Sequence, residues 1–538
     1  MAAGMMIAGA GAAERNLPAL QKEYLSWRFG LFLHFNMASF SPAEWANGRE
    51  DPADFNPDRL DFGQWADAAA AAHMGYAILT VKHTGGWCLW PSDVTDHDVS
   101  QFKNCRNGRG DLVREFCEAF RRRGLKVGFY YCFPLWGKEW ADYWTLPIKG
   151  YETDQTDSLD FVKKQFTELL TRYGKIDLLW VDQYGSTNGG LEPGDWEKIK
   201  AHVHALQPGC LVIANNSHDF RATDIYGYEY PYSLTLPPPD NTIPSEVCDK
   251  LQGGWFNNPE GSPRPLRDVQ YLVHRMLLPM NARHANYLLN CAPDEHGRLP
   301  DSVVALLRAV GREWNPATPP GTLDERSHLI QTAVREVPNE QNLVALIFDP
   351  AADPAGIETP ATWLAQHDAR ATCFLTAAAF DAAPEKIRAL VAQGHEIGNG
   401  SKSGKDLTPI KSGLDIRSEV ETVQQKARGL LHAPPLVFRA PGDAYAGPIW
   451  DALNYFDLIP VAPAVTIAPG SSRATWAKAI KSGSLIALKK GISEAQLSAL
   501  LAVLREKGLK PVPLHELLLQ ARTPWLREFA QACWKNPR

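Results

Sequence analysis

The first half of the chain alternates short apolar runs with amphipathic stretches, and this alternation constrains the fold more than any other feature. Eight strand-like runs occupy residues 30–36, 76–82, 126–132, 176–182, 211–216, 224–230, 245–250 and 286–293. Helical periodicity lies between many of them, as in residues 59–72, 111–123, 158–173, 196–206 and 266–278. Because strands that alternate with helices pair in parallel, the pattern predicts an α/β fold, a (β/α)8 TIM-like barrel.

A second α/β series follows an interruption that is rich in proline and glycine, Pro316 to Gly321, which predicts a linker. Its strand-like runs are residues 343–349, 371–375, 396–399, 436–441, 458–463, 484–490 and 510–514. We therefore predict a barrel domain over residues 14–318, a linker over 319–340 and a C-terminal α/β domain over 341–538.

Composition excludes several classes of protein. With 45% hydrophobic and 22% charged residues, the chain is typical of a soluble globular protein. The net charge is −6 and the longest basic run is Arg121 to Arg123, so nucleic acid is not an expected partner. Nine scattered cysteines without a CxxC pair favour buried thiols over a disulfide scaffold or a metal site.

The N-terminal stretch Met1 to Ala13 is small and apolar. It lacks a basic segment and is too short to span a bilayer, so no membrane association is expected. If the stretch is a signal remnant the protein is periplasmic or secreted, and otherwise it is cytoplasmic.

Polar side chains recur near the ends of the predicted barrel strands, where barrel enzymes place their chemistry. They are His34, His83, Tyr131, Asp182, Asn216, Glu229, Glu246 and Asn290. Two carboxylates in one pocket are the usual machinery for breaking a glycosidic bond, one as nucleophile and one as acid and then base. Asp182 and Glu246 are the first candidates.

Five segments, in order, resemble glycoside hydrolase family 29, the α-L-fucosidases. They are residues 27–45, 75–92, 108–132, 173–182 and 286–300. The resemblance implies that Asp182 is the nucleophile, with Trp180 beside it. It implies that fucose is held by His34, Glu44, Trp45, His83 and Tyr131.

The acid/base is less sharply indicated. Glu246, within residues 242–256, resembles a Glu-x-Cys segment that supplies the acid/base in many family members. Because that position varies in the family, Glu229 is the alternative. Two departures concern the sugar pocket: Thr84 and Gly85 follow His83, so one expected sugar contact is missing, and the Arg often found after the Asn pair is absent unless Arg221 replaces it.

The activity that the resemblance implies is that of a retaining exo-α-L-fucosidase acting on fucosylated glycans or fucosides by double displacement, without metal or organic cofactor. Two alternatives remain: a hydrolase of a related sugar such as an α-L-galactoside, and a carbohydrate-binding pseudo-enzyme. Oligomeric state stays open, a homo-oligomer included.

Residues 341–515 resemble polysaccharide deacetylases of carbohydrate esterase family 4. The matching blocks are residues 346–360, 369–375, 389–404, 437–443 and 483–491. The resemblance implies an irregular β/α barrel and, in active members, a divalent metal held by an Asp and two His. Those positions are Pro350, Gly400 and Gly404 here, and Lys489 stands where the catalytic His is expected, whereas Asp349 and Arg439 remain. We therefore expect a deacetylase-like domain without deacetylase activity.

Overall fold

The computed structural model describes residues 15–41, 44–46, 48, 50–102, 109–133, 158–184, 191–257, 266–321, 323, 329–351 and 355–535. The stretch from Met1 to Ala13, and the predicted domain limits at 14 and 538, lie outside these residues. The chain divides into two compact units, Met1–Tyr230 with Pro237–Ser327 and Pro231–Leu236 with His328–Arg538. The predicted domain limits stay predictions.

The first unit is built on a sheet of eight parallel strands. They are β1 Phe29–Leu33, β2 Tyr76–Lys82, β3 Lys126–Cys132, β4 Leu178–Asp182, β5 Leu211–Ala214, β6 Tyr226–Glu229, β7 Ser245–Lys250 and β8 Ala285–Asn290. Their order is β5-β4-β3-β2-β1-β8-β7-β6. The ends of this path meet where Gly227 approaches Ala214, since a Cβ on Gly227 would lie 3.3 Å from the Ala214 carbonyl oxygen. The predicted barrel is confirmed.

Helices follow most of these strands. They are α1 Leu17–Trp27, α2 Phe62–Ala71, α3 Leu112–Arg122, α4 Ser158–Arg172, α5 Asp195–Leu206, α6 Tyr230–Ser233, α7 Leu278–Ala282 and α8 Asp301–Glu313, with a π-helix at Gln270–Leu277. Short 3-10 turns occur at Met37–Phe40, Pro52–Asp54 and Val99–Gln101. Aspartate side chains cap two helices: Asp61 accepts from the Gln64 amide and Asp111 from the Arg114 amide.

The barrel centre is filled by aromatic side chains. Phe32 lies 5.2 Å from Trp180 and 5.8 Å from Tyr130, ring centre to ring centre. Strands β1 and β2 are buried along their whole length, which explains why they read as continuous apolar runs rather than alternating ones. Among the described residues, no helix is long and apolar enough to cross a membrane.

The second unit contains an open parallel sheet. Its strands are β9 Leu343–Ala351, β10 Ala371–Leu375, β11 Glu396–Asn399, β12 Val437–Phe438, β13 Ile459–Pro460, β14 Val465–Ile467, β15 Leu485–Leu488 and β16 Lys510–Val512. The order is β13-β12-β11-β10-β9-β15-β14, and β16 also pairs with β9. This half-barrel agrees with the predicted deacetylase-like fold.

Helices cover both faces of this sheet. They are α9 Ala355–Gln366, α10 Ala377–Ala382, α11 Pro384–Ala392, α12 Gly413–Leu431, α13 Pro448–Tyr455, α14 Arg473–Ala479, α15 Glu494–Glu506, α16 Leu514–Leu519 and α17 Pro524–Lys535, with a 3-10 turn at Pro441–Asp443. Alternate residues of β9 join different cores: Leu346 and Phe348 pack in one, and Ala345 and Ile347 in the other. A strand with a core on each side has to be apolar throughout.

Candidate active site

Asp182 is the half-buried last residue of β4. Tyr130 Oη donates to Oδ2 at 2.9 Å, while the Asn215 side-chain amide and the Gln183 backbone amide donate to Oδ1 at 3.1 and 2.9 Å. Burial raises the pKa of Asp182, and the bonds from Asn215 and Tyr130 act in the opposite direction. The carboxylate therefore stands at the carboxyl edge of the barrel, held by three donors.

Glu229 ends β6 and is the nearest carboxylate that the described contacts connect to Asp182. Asn215 Nδ2 donates to Glu229 Oε2 at 2.8 Å, and Asn216 Nδ2 donates to the same oxygen at 3.3 Å. Burial, followed by the negative charge of Asp182, raises the pKa of Glu229 from 4.5 to about 7. A carboxyl that keeps its proton near neutrality is suited to general acid catalysis.

One amide nitrogen thus joins the two carboxylates. Since Asn215 Nδ2 lies 3.1 Å from Asp182 Oδ1 and 2.8 Å from Glu229 Oε2, the two oxygens are at most about 6 Å apart. Retaining glycosidases have carboxyl separations of about 5 to 5.5 Å, whereas inverting enzymes have about 6.5 to 9.5 Å to admit a water. The spacing falls on the retaining side.

Glu246 occupies a different place from the one expected. It is the second residue of β7, which continues to Lys250, so it lies about 13 Å along the strand from the carboxyl end. Its side chain is 1% exposed and accepts from Tyr24 and Tyr76 on one oxygen and from Trp180 Nε1 on the other, at 2.8 Å. The expected position at a strand end is therefore corrected: Glu246 is enclosed in the barrel, below the edge that carries Asp182.

Tyr131 also departs from the expectation. Its hydroxyl donates to Gln165 of α4 at 2.7 Å and accepts from Lys82 Nζ at 2.9 Å. The side chain is thus in the layer between strands and helices, because successive residues of a strand face opposite sides. The neighbouring Tyr130 faces the site and contacts Asp182. Sequence reasoning therefore chose the wrong residue of the pair as the one that lines the pocket.

Four rings form a continuous stack that leads to Asp182. Trp45 stacks on His83 at 5.1 Å, His83 on Tyr130 at 5.2 Å and Tyr130 on Trp180 at 5.4 Å, with interplanar angles of 4°, 12° and 21°. The structure therefore brings together three residues predicted from sequence, Trp45, His83 and Trp180, and adds Tyr130. Burial lowers the pKa of His83, so its ring is neutral.

His34 directly follows β1, and its side chain is 3% exposed. Its Nδ1 lies 2.8 Å from Asn290 Oδ1, whose own amide nitrogen donates to the Trp255 carbonyl. Since Asn290 Oδ1 is an acceptor, His34 Nδ1 carries the proton. Burial lowers the pKa of His34 to about 3, which leaves Nε2 as an acceptor for a hydroxyl group.

Two aromatic residues after β7 belong to this pocket and were not predicted. Trp255 lies 4.9 Å from His34 and Phe256 4.9 Å from His83, ring centre to ring centre. Glu44 contributes indirectly, because its Oε1 accepts from the Trp255 backbone amide at 2.7 Å. Their position just past a barrel strand is the signal that sequence reasoning could have used.

Arg221 does not replace the missing arginine. Its guanidinium is paired with Asp219 at 2.5 Å, and its side chain is 85% exposed. The end of β5 therefore presents Asn215 and Asn216 to the carboxylates, with no arginine from this loop beside them.

The model of the family described as alpha-L-fucosidase matches residues 12–316, more than half of the chain. The chain belongs to the α-L-fucosidase family. The match covers all eight strands of the barrel and every site residue described above.

This α-L-fucosidase family member is similar to individual curated proteins and solved structures. Alpha-L-fucosidase 1 of Arabidopsis thaliana is 28% identical over 317 residues, 54% of this chain and 59% of the relative. Tissue alpha-L-fucosidase of Bos taurus is 30% identical over 298 residues, 52% of this chain and 56% of the relative. The solved alpha-L-fucosidase isoenzyme 1 from Paenibacillus thiaminolyticus is 28% identical, with a TM-score of 0.46, covering 55% of this chain and 76% of that one. The chain thus spans less than two thirds of the curated relatives' length.

The second unit of this family member carries another family match. Residues 336–460 match the polysaccharide deacetylase model. At the corresponding strand ends, Asp349 pairs with Lys489 Nζ at 2.6 Å and with Arg439 Nη1 at 2.8 Å, and Arg439 also pairs with Asp443 at 2.7 Å. Two cations and two carboxylates therefore neutralise one another in this cluster.

This cluster does not fit the divalent metal that the deacetylase family implies. The lysine ammonium lies against the carboxylate that remains, which places a fixed positive charge beside it. Gly404 has a left-handed φ of +65°, and a Cβ there would lie 3.0 Å from Thr376 Cγ2, so a histidine would be strained at this position. Among the described residues, no group of three His, Cys, Asp or Glu side chains is arranged to hold a metal ion.

Proposed function

We propose that this chain is a retaining exo-α-L-fucosidase that hydrolyses terminal α-L-fucosyl residues of glycans or fucosides. The observation that carries the proposal is the pair Asp182 and Glu229, bridged by Asn215 at the carboxyl edge of the barrel. Membership of the α-L-fucosidase family supports fucose as the sugar. The two carboxylates support the two-step mechanism.

In the first step, Asp182 Oδ attacks the anomeric carbon and forms a glycosyl ester while the bond from that carbon to the glycosidic oxygen breaks. Glu229 gives its proton to that oxygen, and the aglycone leaves as an alcohol. A pKa of about 7 keeps Glu229 protonated for this task at neutral pH. Asp182 has to be ionised, and its bonds from Tyr130 and Asn215 favour that form.

In the second step, the Glu229 carboxylate takes a proton from a water molecule whose oxygen attacks the same carbon. The ester bond to Asp182 breaks and the sugar leaves with its original configuration, since the carbon has been inverted twice. Glu229 is protonated again and Asp182 is ionised, so the cycle closes without a further reactant.

We assign the acid/base role to Glu229 rather than Glu246. Both carboxylate oxygens of Glu246 accept hydrogen bonds inside the barrel. These bonds would have to break before Glu246 could reach a substrate at the barrel edge, which is unfavourable for a buried group. Glu229 shares a donor with the nucleophile and keeps one partly exposed face.

The pocket around the pair suits a small deoxy sugar. The His34 Nε2 acceptor is placed to bind a ring hydroxyl, and Trp45 and Trp180, the two end rings of the stack, offer apolar surface for the C6 methyl group. Glu44, through the Trp255 backbone, shapes this wall. The same pocket leaves an α-L-galactoside as the second candidate, because Thr84 and Gly85 follow His83.

The direct test is hydrolysis of 4-nitrophenyl α-L-fucoside and of its α-L-galactoside counterpart by the full chain. We expect release from the fucoside, and loss of at least about 1,000-fold in kcat for Asp182→Asn. Glu246→Gln is the matched carboxyl-to-amide control and should keep most of the activity. Equal release by wild type and Asp182→Asn would sink the proposal, and no release with a folded wild type would favour the carbohydrate-binding pseudo-enzyme.

For the second unit, we propose a role without deacetylation. The ion cluster of Asp349, Lys489, Arg439 and Asp443 satisfies its own charges, and Pro350, Gly400 and Gly404 supply no metal ligand. Release of acetate from an acetylated chitooligosaccharide by the purified protein would contradict this proposal.

A further inference from the structure

Asn215 sits between the two strands that carry the catalytic pair. It directly follows β5, and its backbone amide donates to the Val181 carbonyl at 2.9 Å, which fixes its position beside β4. Its side-chain nitrogen has two N–H bonds, and both are used, one on Asp182 and one on Glu229.

The side-chain oxygen of Asn215, unlike the nitrogen, is not engaged by the catalytic pair. Asn215 Oδ1 is buried and, within the part of the chain that the structure describes, has no hydrogen-bond partner. A buried acceptor without a partner is costly, and most are satisfied in folded proteins. The side chain is therefore oriented for its two donors at the expense of its acceptor, and the two donors meet only the proposed nucleophile and acid/base.

We infer that Asn215 is a positioning residue that sets the spacing of Asp182 and Glu229 and stabilises the negative charge as it moves from one to the other. This inference rests on the proposed function. The two N–H bonds of an amide diverge by about 120°, so a single nitrogen holds the two acceptors about 5 Å apart, within the retaining range.

The charge argument follows from the two steps of hydrolysis. Before the attack Asp182 carries the negative charge and Glu229 is neutral, and after it Asp182 is an ester and Glu229 is the anion. A hydrogen bond to an ionised carboxylate is roughly twice as strong as one to a neutral group. Because Asn215 donates to both, its bond to Asp182 is the stronger one before the attack and its bond to Glu229 is the stronger one after it. The amide does not have to move between the two states, which is electrostatic preorganisation.

Other groups also act on the pair and have to be considered in any pH experiment. They are Tyr130 and Cys132 on β3, Gln183 after β4, Asn216 after β5, and Cys248 and Lys250 on β7. Of the side chains among these, Asn216 donates to Glu229 and Tyr130 to Asp182, each to one carboxylate. Asn216 thus provides a matched control for Asn215.

The experiment compares pH profiles of kcat/KM for wild type, Asn215→Ala and Asn216→Gly, with 4-nitrophenyl α-L-fucoside. Glycine is chosen at 216 because this residue has a φ of +53°. We expect Asn215→Ala to lose about 10- to 100-fold in kcat/KM, as for a hydrogen bond to a charged group. Both limbs of its profile should move to higher pH, since each bond from Asn215 lowers the pKa of its carboxyl. Asn216→Gly should move the alkaline limb more than the acid limb.

A lower rate with both limbs unmoved would overturn the inference, because a merely structural side chain lowers activity at every pH alike. Equal movement of both limbs by Asn216→Gly would overturn it too. If Asn215→Ala fails to fold, Asn215→Ser replaces it. A single hydroxyl donates to one carboxylate at a time. The limbs of the Asn215→Ser profile should therefore move, but less than complete loss of both donors would move them. Unmoved limbs would again contradict the inference.

Thermal unfolding against pH separates this inference from the proposed function, because it needs no substrate. Removing Asn215 raises both folded-state pKa values further above those of the unfolded chain. The deficit in Tm of Asn215→Ala relative to wild type should therefore grow as pH rises from about 4 to 8. A deficit that is constant with pH contradicts the inference whether or not the protein hydrolyses fucosides, whereas a growing deficit in a protein without activity would contradict only the proposed function.

Discussion

Asp182 and Glu229 share a donor and each other's electric field, so their protons are best described as belonging to the pair. Burial and the charge of Asp182 raise the pKa of Glu229 to about 7, and burial raises that of Asp182. Each residue alone would be an ordinary carboxylate. In the proposed mechanism, these different environments suit Asp182 to the role of nucleophile and Glu229 to the role of acid.

The first prediction concerns the pH dependence of hydrolysis. Since Glu229 has to hold its proton in the first step, kcat/KM should fall about tenfold per unit as pH rises above about 7. Glu229→Gln should remove this limb along with most of the activity. A wild-type profile that stays flat to pH 9 would contradict the assignment of Glu229.

The second prediction is a gain of stability in the same variant. Glu229 binds its proton more tightly in the folded than in the unfolded chain, so its contribution is fully present below pH 4.5 and is lost as pH rises through about 7. Glu229→Gln carries no charge and should exceed wild type in unfolding free energy at pH 8 by on the order of 1 to 3 kcal/mol. Urea unfolding at pH 4.5 and 8 measures the change, and an equal difference at both values would refute it.

Single-residue roles were only partly predictable from the sequence. Asp182, His34, His83, Trp45 and Trp180, which the structure places around one pocket, were predicted because each lies at or just past a strand end or belongs to a matching motif. Tyr130 was missed in favour of Tyr131, since two adjacent tyrosines give no sign of which one faces the barrel interior. Asn215 was not predicted, because its proposed role depends on two carboxylates from other strands.

At the scale of elements, the boundaries of five strands were predicted to the residue, and the other predicted strands differ by a few positions. The five are β2, β3, β7, β10 and β11. Only β14 was missed, because three residues with an exposed Thr466 in the middle give too short an apolar signal. Glu246 shows the limit of such predictions. Its strand was correctly placed, but depth along a strand decides whether a carboxylate reaches the edge.

Glu246 has a structural part to play instead, and this is the third prediction. Through Tyr24 it ties α1 to β7, and through Tyr76 and Trp180 it ties β7 to β2 and β4. Tyr24→Phe deletes one of these bonds and should lower the unfolding free energy by about 1.5 to 3 kcal/mol, as for a bond to a charged acceptor. Urea unfolding at pH 7 measures this loss, and kcat should change little. A large drop in kcat with unchanged stability would return Glu246 to the catalytic site.

For the whole molecule, the sequence already indicated two α/β units, since strand and helix patterns repeat on either side of a proline-rich interruption. Substitutions at the expected ligand positions also led to the prediction that the second unit lacks deacetylase activity, which stays a prediction. The sequence could not reveal that Lys489 and Arg439 would both pair with Asp349. That contact joins residues far apart in the chain, and its geometry depends on the sheet order.

The fourth prediction follows from that cluster. Because a lysine ammonium already neutralises Asp349, the purified full chain should contain no stoichiometric zinc after dialysis, by inductively coupled plasma mass spectrometry. Lys489→Met removes the ammonium and leaves one carboxylate with Arg439, so it should not create a metal site either. Zinc at one equivalent in wild type would contradict this account of the second unit.

The central claim, that Asp182 and Glu229 form a retaining pair, is tested most directly by azide rescue of Glu229→Ala. Azide needs no general base, so it can replace the activated water in the second step while Asp182 still forms the ester. With 4-nitrophenyl α-L-fucoside, proton NMR should show α-L-fucosyl azide, with the substrate's configuration. β-L-Fucosyl azide from this variant, or rescue of Glu246→Ala with none for Glu229→Ala, would contradict the account.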